Sequence, residues 1–208
     1  MIDKQAIFSI SYGLYVLIAR EGERDNGCIV NVAQQLTDQP LQLMLCVNKK
    51  NLTHDMVLNT KVFNLCPLSE EATMKPFEHF GFQSGRDVNK FADCQQELRT
   101  ENGLLYLPKY VNAVISGRVV QTLDLGTHTM FIAEVTEARQ LTASPSITYS
   151  YYQQHIKSTG SAGVPPAEGG KKRWVCEVCG YVYEGDEVPD DFICPWCKHG
   201  KSDFKLME

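Results

Sequence analysis

Four cysteines near the C-terminus place the strongest constraint on what this chain can fold into. They form two C-x-x-C pairs, Cys176 with Cys179 and Cys194 with Cys197, and fourteen residues separate the pairs. Each pair offers two thiolates from one tight turn, so together they predict a tetrahedral site for a single thiophilic metal ion. Two structural disulfides are the alternative. Four thiolates suit zinc or iron equally: zinc would make a structural ribbon, and iron would make an electron carrier.

The segment around these cysteines is rich in aromatic residues, which are Trp174, Tyr181, Tyr183, Trp196 and Phe204. A segment this short cannot bury a sufficient hydrophobic core by itself. We therefore expect a bound metal ion and the aromatic side chains to supply its stability together.

The residues that flank the cysteines form a recognisable pattern. C-G-Y-V-Y begins at Cys179, P-D-D-F-I-C leads to Cys194, and K-S-D-F begins at Lys201. In these motifs residues 174–204 resemble rubredoxin, and the short stretch between the pairs is similar to the rubredoxin module of rubrerythrins. The resemblance implies one iron ion that cycles between its ferric and ferrous forms and is held by Cys176, Cys179, Cys194 and Cys197.

The chain has 208 residues of ordinary globular composition, and its net charge of −5 argues against nucleic acid or an anionic membrane as a partner. No apolar run has the length of a membrane span, and residues 1–20 lack the pattern of a secretory signal, so we expect a cytoplasmic protein. In a reducing cytosol, scattered cysteines are expected to be small buried hydrophobes. Four cysteines fit this description: Cys28, Cys46, Cys66 and Cys94.

A linker divides the chain into two domains. Residues 157–170 contain four glycines and two prolines and almost no side chain that could be buried. Such a composition is flexible at its glycines and stiffer at its prolines. We therefore predict a first domain over residues 1–156, a flexible linker over 157–173 and a metal-binding domain over 174–208.

The first domain is predicted to be mainly β. Runs rich in β-branched or alternating apolar residues predict strands over residues 13–18, 41–47, 62–65, 111–120 and 129–135. Two short helices are predicted, one from Thr53 to Asn59 and one that begins at Ser69, each with its first residue as the cap. The strands do not alternate with helices and no G-x-G-x-x-G motif follows a strand, so a small barrel is favoured over a doubly wound sheet.

Three stretches of this domain are predicted to carry chemistry. Residues 25–31 form a turn followed at once by a strand, residues 47–54 leave a strand and enter a helix, and residues 80–91 are rich in glycine and charge. The second stretch is a candidate phosphate site, because Lys49 and Lys50 are basic and the helix opened by Thr53 would present free amides to an anion. A polar connection with two solvated lysines is the alternative.

Together these stretches resemble the flavin reductase-like family, an FMN-binding split barrel. The matching segments are N-G-x-x-x-N over residues 26–31, P-x-x-x-x-x-x-x-N over 40–48 and S-G-R-D-x-x-K-F over 84–91. The resemblance implies that Ser84 and Lys90 close the site from a loop. It also implies that the isoalloxazine is lined by Asn26, Gly27, Cys28, Ile29, Val30 and Asn31. The phosphate would be held by Asn48, Lys49, Lys50, Asn51, Thr53 and His54.

His128 begins a predicted strand in the segment G-T-H-T-M. A lone histidine is commonly satisfied within the fold or exposed to solvent. In flavin reductases a histidine in a similar position lies near the nicotinamide or the flavin, and this resemblance makes His128 the candidate catalytic residue.

Flavin and iron are a chemically coherent pair. NAD(P)H delivers two electrons as hydride, whereas a Cys₄ iron accepts one, and a flavin can convert between the two. The prediction is an NAD(P)H-dependent oxidoreductase that passes electrons through FMN to Fe(Cys)₄ and then to an acceptor protein. The two-domain arrangement is similar to the high-molecular-weight rubredoxins of anaerobes, which implies a flavodiiron protein that reduces nitric oxide or dioxygen as the acceptor. The barrel family implies a homodimer.

Two other functions stay open at this point. The chain could be an FMN-binding module with a structural zinc ribbon and no turnover. It could also be a flavin reductase whose reduced FMN diffuses to a monooxygenase.

Five acidic residues lie between the two cysteine pairs with no basic residue among them, namely Glu184, Asp186, Glu187, Asp190 and Asp191. If the metal is the exit point for electrons, these acids would steer a basic patch on the acceptor. A solvated loop is the alternative.

Overall fold

A computed structural model describes residues 9–92, 98–157, 172–176, 181–194 and 200–207. The chain divides into two compact units, Met1–Tyr152 and Gln153–Glu208. Among the described residues, no helix is long and apolar enough to cross a membrane. Several predicted features lie outside the described ranges: Cys94, Cys179, Trp196, Cys197 and linker residues 158–171.

The first unit is built on one seven-stranded antiparallel sheet with the order β2-β1-β5-β6-β7-β4-β3. Its strands are β1 (Tyr15–Glu21), β2 (Arg24–Val30), β3 (Ala33–Asp38), β4 (Leu41–Asn48), β5 (Val62–Pro67), β6 (Ala113–Asp124) and β7 (His128–Gln140). Its helices are α1 (Leu52–Thr60), α2 (Lys75–Phe80) and the short α3 (Tyr149–Tyr151), which a π-helical turn (Tyr152–Lys157) follows.

One face of the curved sheet forms the core, because alternate residues of each strand point to the same side. Leu17, Leu45 and Phe131 are fully buried there, and Met56 and Val57 of α1 join the same cluster. The mainly β prediction is therefore confirmed, and the five predicted strands correspond to β1, β4, β5, β6 and β7. Alternation missed β3, whose residues are half-buried or exposed along its whole length.

The opposite face of β4, β7 and β6 is also apolar. Residues opposite each other on neighbouring strands share a face, and the register pairs Cys46 with Met130, Met130 with Leu123, and Met44 with Ile132. Leu123 is 52% exposed, and the other side chains are half-buried. We call this set, Met44, Cys46, Leu123, Met130 and Ile132, the outer apolar face.

Both predicted helix starts are wrong in detail. Asn51 occupies the N-cap position of α1, although its side chain makes no capping hydrogen bond. The hydroxyl of Thr53 accepts a hydrogen bond from the Asn26 amide. Ser69 does not begin a helix, because it is fully buried in an isolated bridge with Ser146, and α2 starts only at Lys75.

The second unit contains a small sheet of order β10-β8-β9, formed by β8 (Arg173–Cys176), β9 (Val182–Glu184) and β10 (Phe204–Leu206). Phe192 is at the centre of an aromatic cluster: its ring centroid lies 4.8 Å from that of Tyr183 and 5.4 Å from that of Phe204. The aromatic side chains of this unit thus pack against one another in the described residues, and Phe192 was not among the aromatics singled out from the sequence.

Candidate functional site

Strand β2 turns most of its predicted flavin residues into the protein. Asn26, Cys28 and Val30 are buried, and the amide of Asn26 donates to Thr53 Oγ1 at 2.9 Å. Burial raises the pKa of the Cys28 thiol, which counts against a reactive thiolate. Residues 25–27 were predicted to form a turn, and this prediction is wrong. Strand β2 is continuous from Arg24, and the turn lies at Gly22, whose φ is 59°. The groups of this stretch left for a flavin ring are the backbone, Ile29 and, directly after β2, Asn31.

The connection from β4 to α1 presents groups suited to an anion. Asn48 Oδ1 accepts a hydrogen bond from the Lys50 amide at 2.9 Å, which shapes the turn. The side chain of Asn51 makes no capping hydrogen bond, so the amides of Leu52 and Thr53 are left for another acceptor, whereas the His54 amide donates to the Asn51 carbonyl at 3.1 Å. The two lysines differ. Lys49 Nζ pairs with Asp124 at 2.7 Å, whereas Lys50 is exposed and forms no salt bridge within the described part of the chain.

His54 was predicted to hold phosphate, but the structure uses its ring internally. The residue is 3% exposed, and its ring lies between Asp55 Oδ1 and Thr129 Oγ1, each 2.8 Å from a ring nitrogen. A carboxylate only accepts, so Nδ1 donates to Asp55, and Nε2 is paired with the Thr129 hydroxyl. Asp55 Oδ2 also accepts a hydrogen bond from Arg86 Nη2 at 2.6 Å. His54 thus ties α1 to the start of β7 and, through Asp55, to the loop of Arg86.

The Ser84–Lys90 loop is attached to the same region. Arg24 donates to the carbonyl of Gly85, and Ser84 Oγ accepts the Arg86 amide at 3.1 Å. Gly85 lies against Asn26 so closely that a Cβ there would stand 2.3 Å from the amide oxygen of Asn26. The glycine of S-G-R-D is therefore required by this contact.

Lys90 is buried, with 4% of its side chain exposed. Its ammonium donates to the carbonyls of Gly27 at 3.0 Å and Phe80 at 2.9 Å. Burial lowers the pKa of Lys90 to about 8, since the charged form loses its hydration.

His128 begins β7, beside the connection from β4 to α1. It is half-buried, pairs across strands with Asn48, and its Nδ1 lies 2.9 Å from Thr127 Oγ1. Asn48 and His128 share the outer face of the sheet, one row of side chains beyond Cys46 and Met130. Polar groups next to an apolar surface are what a flat heterocycle requires.

The predicted stretches thus meet around the first turn of α1, and the residues present fit a phosphorylated flavin. The exposed Lys50 and the uncapped amides offer an anion site, while Asn48 and His128 adjoin an apolar face. Asp55, Arg86 and Thr129, which link these stretches, were not singled out from the sequence. Arg86 could have been found, because it lies within S-G-R-D.

The metal site is described for two of its four predicted ligands. Cys176 and Cys194 are each fully buried, and the Cys176 amide donates to the carbonyl of Tyr181 at 2.8 Å. Cys179 and Cys197 lie outside the described residues. Two buried thiols in a unit with few aliphatic residues fit the chemistry of a thiolate-bound metal ion.

The acidic stretch of the second unit has basic partners that the sequence did not reveal. Lys201 Nζ lies 2.8 Å from both Glu187 and Asp190, and Arg173 pairs with Glu184 at 3.1 Å. The hydrogen bond from Lys201 lowers the pKa of Asp190. Three of the five acids therefore have a basic partner from outside the stretch. Asp186 and Asp191 are exposed and make no salt bridge among the described residues.

Comparisons with family models identify both parts of the chain. Residues 7–160 match the flavin reductase like domain, and residues 174–205 match the rubrerythrin, rubredoxin-like domain. The second match agrees with the shortened rubredoxin pattern seen in the sequence.

Two curated proteins are similar over most of their length. The high molecular weight rubredoxin of Moorella thermoacetica is 33% identical and covers 99% of this chain and 100% of its own. The ferric-chelate reductase (NAD(P)H) of Archaeoglobus fulgidus is 34% identical over 76% of this chain and 92% of its own. Among solved structures, the flavoredoxin of Methanosarcina acetivorans superposes with a TM-score of 0.59 at 20% identity, over 67% of this chain and 74% of its own.

Proposed function

Because this chain belongs to the flavin reductase-like domain family and carries a rubrerythrin-type rubredoxin-like domain after it, we propose that it is an NAD(P)H-dependent oxidoreductase that moves electrons through FMN and a mononuclear iron centre. The observation that carries this proposal is the convergence of residues 26–31, 48–54 and 84–90 around the first turn of α1. The relatives named for NAD(P)H-dependent reduction and for rubredoxin support it.

In this proposal, FMN supplies the conversion between hydride and single electrons, and iron carries the single electrons. Lys50 and the first amides of α1 hold the phosphate, because they are the basic and donor groups left available there. Asn48 and His128 orient the ring at the edge of the outer apolar face. His54, Asp55 and Arg86 hold the two loops in place.

Four cysteines are proposed to bind the iron: Cys176, Cys179, Cys194 and Cys197. Support comes from the burial of the two described thiols and from the rubredoxin-like match. The linker is proposed to let the iron approach the reduced flavin and then reach an acceptor protein. A flavodiiron protein that reduces nitric oxide or dioxygen is the proposed acceptor.

Cofactor analysis tests this proposal. Protein isolated from iron-replete cells should contain FMN in preference to FAD and about one iron per chain, as one Cys₄ site requires. Stoichiometric zinc without iron would favour an FMN-binding module with a structural ribbon. Loss of FMN during purification, with full activity restored by free FMN, would favour a reductase that releases its flavin.

We further propose that the first unit forms a homodimer through the outer apolar face. A sheet face exposed to water is normally polar, yet Met44, Met130 and Ile132 lie side by side here. A second copy on this face would also adjoin Asn48 and His128. Met130→Glu should yield a monomer in light scattering. An unchanged mass would place the dimer contact elsewhere or show that the protein is a monomer.

A further inference from the structure

The first unit contains a cavity of about 440 Å³ between α2 and residues 107–110, which we call the α2 cavity. Its volume lies within the range of small-molecule sites in proteins. The interior is suited to an apolar body such as an aromatic ring, because much of the lining is apolar or aromatic. The residues that present this surface are Pro76, Phe80, Leu107, Pro108 and Tyr110.

Two basic side chains line the same cavity. Lys75, the first residue of α2, and Lys109 are both exposed. In the described part of the chain, the lysines that form salt bridges are Lys49 and Lys201, so Lys75 and Lys109 have no acidic partner there. Glu78 is the acidic residue of the lining. The excess of positive charge beside an apolar interior fits a ligand with an apolar body and an anionic group.

Contacts within the protein hold the walls of the α2 cavity in place. His79 Nε2 donates to the Lys90 carbonyl at 2.6 Å, which fixes the last turn of α2. Tyr110 has a φ of 69°, which residues other than glycine rarely adopt, and its carbonyl accepts the Ser69 amide at 2.8 Å. Backbone strain of this kind is concentrated at functional sites. The cavity is therefore preformed, and a ligand can bind without first ordering the chain.

The α2 cavity is separate from the proposed phosphate site at α1. Successive residues of a strand point to opposite faces of its sheet. The side chain of Asn26 donates to Thr53 of α1, whereas a Cβ added at Gly27 would lie 3.1 Å from the ring of Phe80. Helix α2 therefore packs on the face of β2 that is turned away from α1, and the cavity lies beside α2.

We propose that the α2 cavity is a second ligand site, and that it takes an aromatic ring carrying one carboxylate group. The ring lies against Pro76, Phe80 and Leu107, and the carboxylate pairs with Lys75 and Lys109. This inference goes beyond the proposed function and does not depend on it. The affinity of the cavity for such a ligand should be the same with and without bound FMN.

Calorimetric titration of the FMN-saturated full chain with naphthoate and with its uncharged amide tests this proposal. The two probes share one ring system, and only naphthoate is an anion. Naphthoate should bind once per chain and roughly tenfold more tightly than the amide, as two ion pairs at the edge of a cavity would provide. Titration of flavin-free protein should give the same two affinities.

Removing both charges should abolish the preference for the anion. In Lys75→Gln with Lys109→Gln, naphthoate should weaken roughly tenfold and the amide should keep its wild-type affinity. Lys61→Gln with Lys172→Gln is the matched control, because both lysines are exposed and the change in net charge is the same. This control should retain the preference. In the wild type, added salt should weaken naphthoate and leave the amide unchanged, which gives a second measurement without any variant.

Several results would overturn the proposal. These are no binding of naphthoate to the wild type, equal binding of the two probes, and a preference that survives in Lys75→Gln with Lys109→Gln. Displacement of naphthoate by FMN or NAD(P)H would also overturn it, because the probe would then occupy the proposed redox site. If the wild type binds no FMN, the proposed function fails, and the titrations of flavin-free protein still decide this proposal.

Discussion

Lys49 and Lys50 are neighbours in the sequence, but the structure gives them different surroundings. Lys49 is engaged by Asp124, and Lys50 is exposed beside the uncapped start of α1. We therefore expect Lys50→Ala to weaken FMN roughly three- to tenfold, as the loss of one charge at a helix N-terminus would. Lys49→Ala should have a smaller effect. Calorimetric titration with FMN and with riboflavin measures both.

Riboflavin is the control ligand in this experiment, because it lacks the phosphate. Its affinity should be the same in the wild type and in Lys50→Ala. Equal weakening of FMN and riboflavin would mean that Lys50 does not contact phosphate. A larger effect of Lys49 than of Lys50 would mean that the Asp124 pair opens when the ligand binds.

Lys90 should also leave a signature in stability. Its pKa is lowered from 10.5 to about 8 in the folded protein, so between these values the unfolded chain binds more protons than the folded one. The contribution of Lys90 should therefore increase the free energy of unfolding as the pH rises from about 8 to 10.5. Urea unfolding of the wild type and of Lys90→Met at several pH values measures this contribution as the difference between their free energies of unfolding. A difference between the two proteins that does not vary with pH would contradict the lowered pKa.

At the scale of elements, alternation and β-branched residues were sufficient to predict the strands that face the core. They were insufficient for β3, which buries no residue fully. The helix starts were misplaced for a different reason. Thr53 and Ser69 have the composition of caps, but both side chains are buried by tertiary contacts, and tertiary packing overrides local preference.

The candidate site was predictable as segments and not as individual contacts. The stretches 26–31, 48–54 and 84–90 meet as expected, because each motif marks a chain reversal or a strand end. The direction of each side chain depends on the register, which a single sequence does not reveal. For this reason Asn26, Cys28 and His54 were expected at the flavin but are directed into the protein.

The contact between the Ser84–Lys90 loop and β2 should be sensitive to one methyl group. In Gly85→Ala the new Cβ would overlap the Asn26 amide, which donates to Thr53. The loop must then move away, so we expect weaker binding of FMN and loss of roughly 1–3 kcal/mol of stability. Gly200→Ala is the matched control, because an added Cβ there meets no atom within 4 Å and its φ is −87°, and it should bind FMN as the wild type does. Unchanged FMN affinity in Gly85→Ala would show that the loop does not contact the cofactor.

At the scale of the whole molecule, the acidic stretch of the second unit can still steer an acceptor, but through fewer residues. Asp186 and Asp191 are the acids without a salt bridge in the described part, since Lys201 engages Glu187 and Asp190. Replacing both by lysine should slow electron delivery to a basic acceptor several-fold at low salt, and the effect should fade as the Debye length shortens to about 8 Å.

Asp38→Lys with Glu70→Lys is the control for this experiment, because both residues are exposed acids of the first unit. This variant has the same change in net charge and should transfer electrons at the rate of the wild type. Reduction of FMN and of iron by NAD(P)H should be equal in all three proteins. If the rate of electron delivery to the acceptor changes neither with the substitutions at Asp186 and Asp191 nor with salt, the acidic stretch is a solvated loop without a role in steering.

In the proposed function, electrons from NAD(P)H reach the iron through FMN. Anaerobic stopped-flow absorbance tests it directly, since ferric thiolate and oxidised flavin absorb at different visible wavelengths. After mixing with NAD(P)H, flavin absorbance should fall first and ferric absorbance afterwards, and protein stripped of FMN should keep its ferric absorbance until FMN is restored. Ferric absorbance that is lost equally fast without FMN, or that persists beside fully reduced FMN, would contradict this route for the electrons.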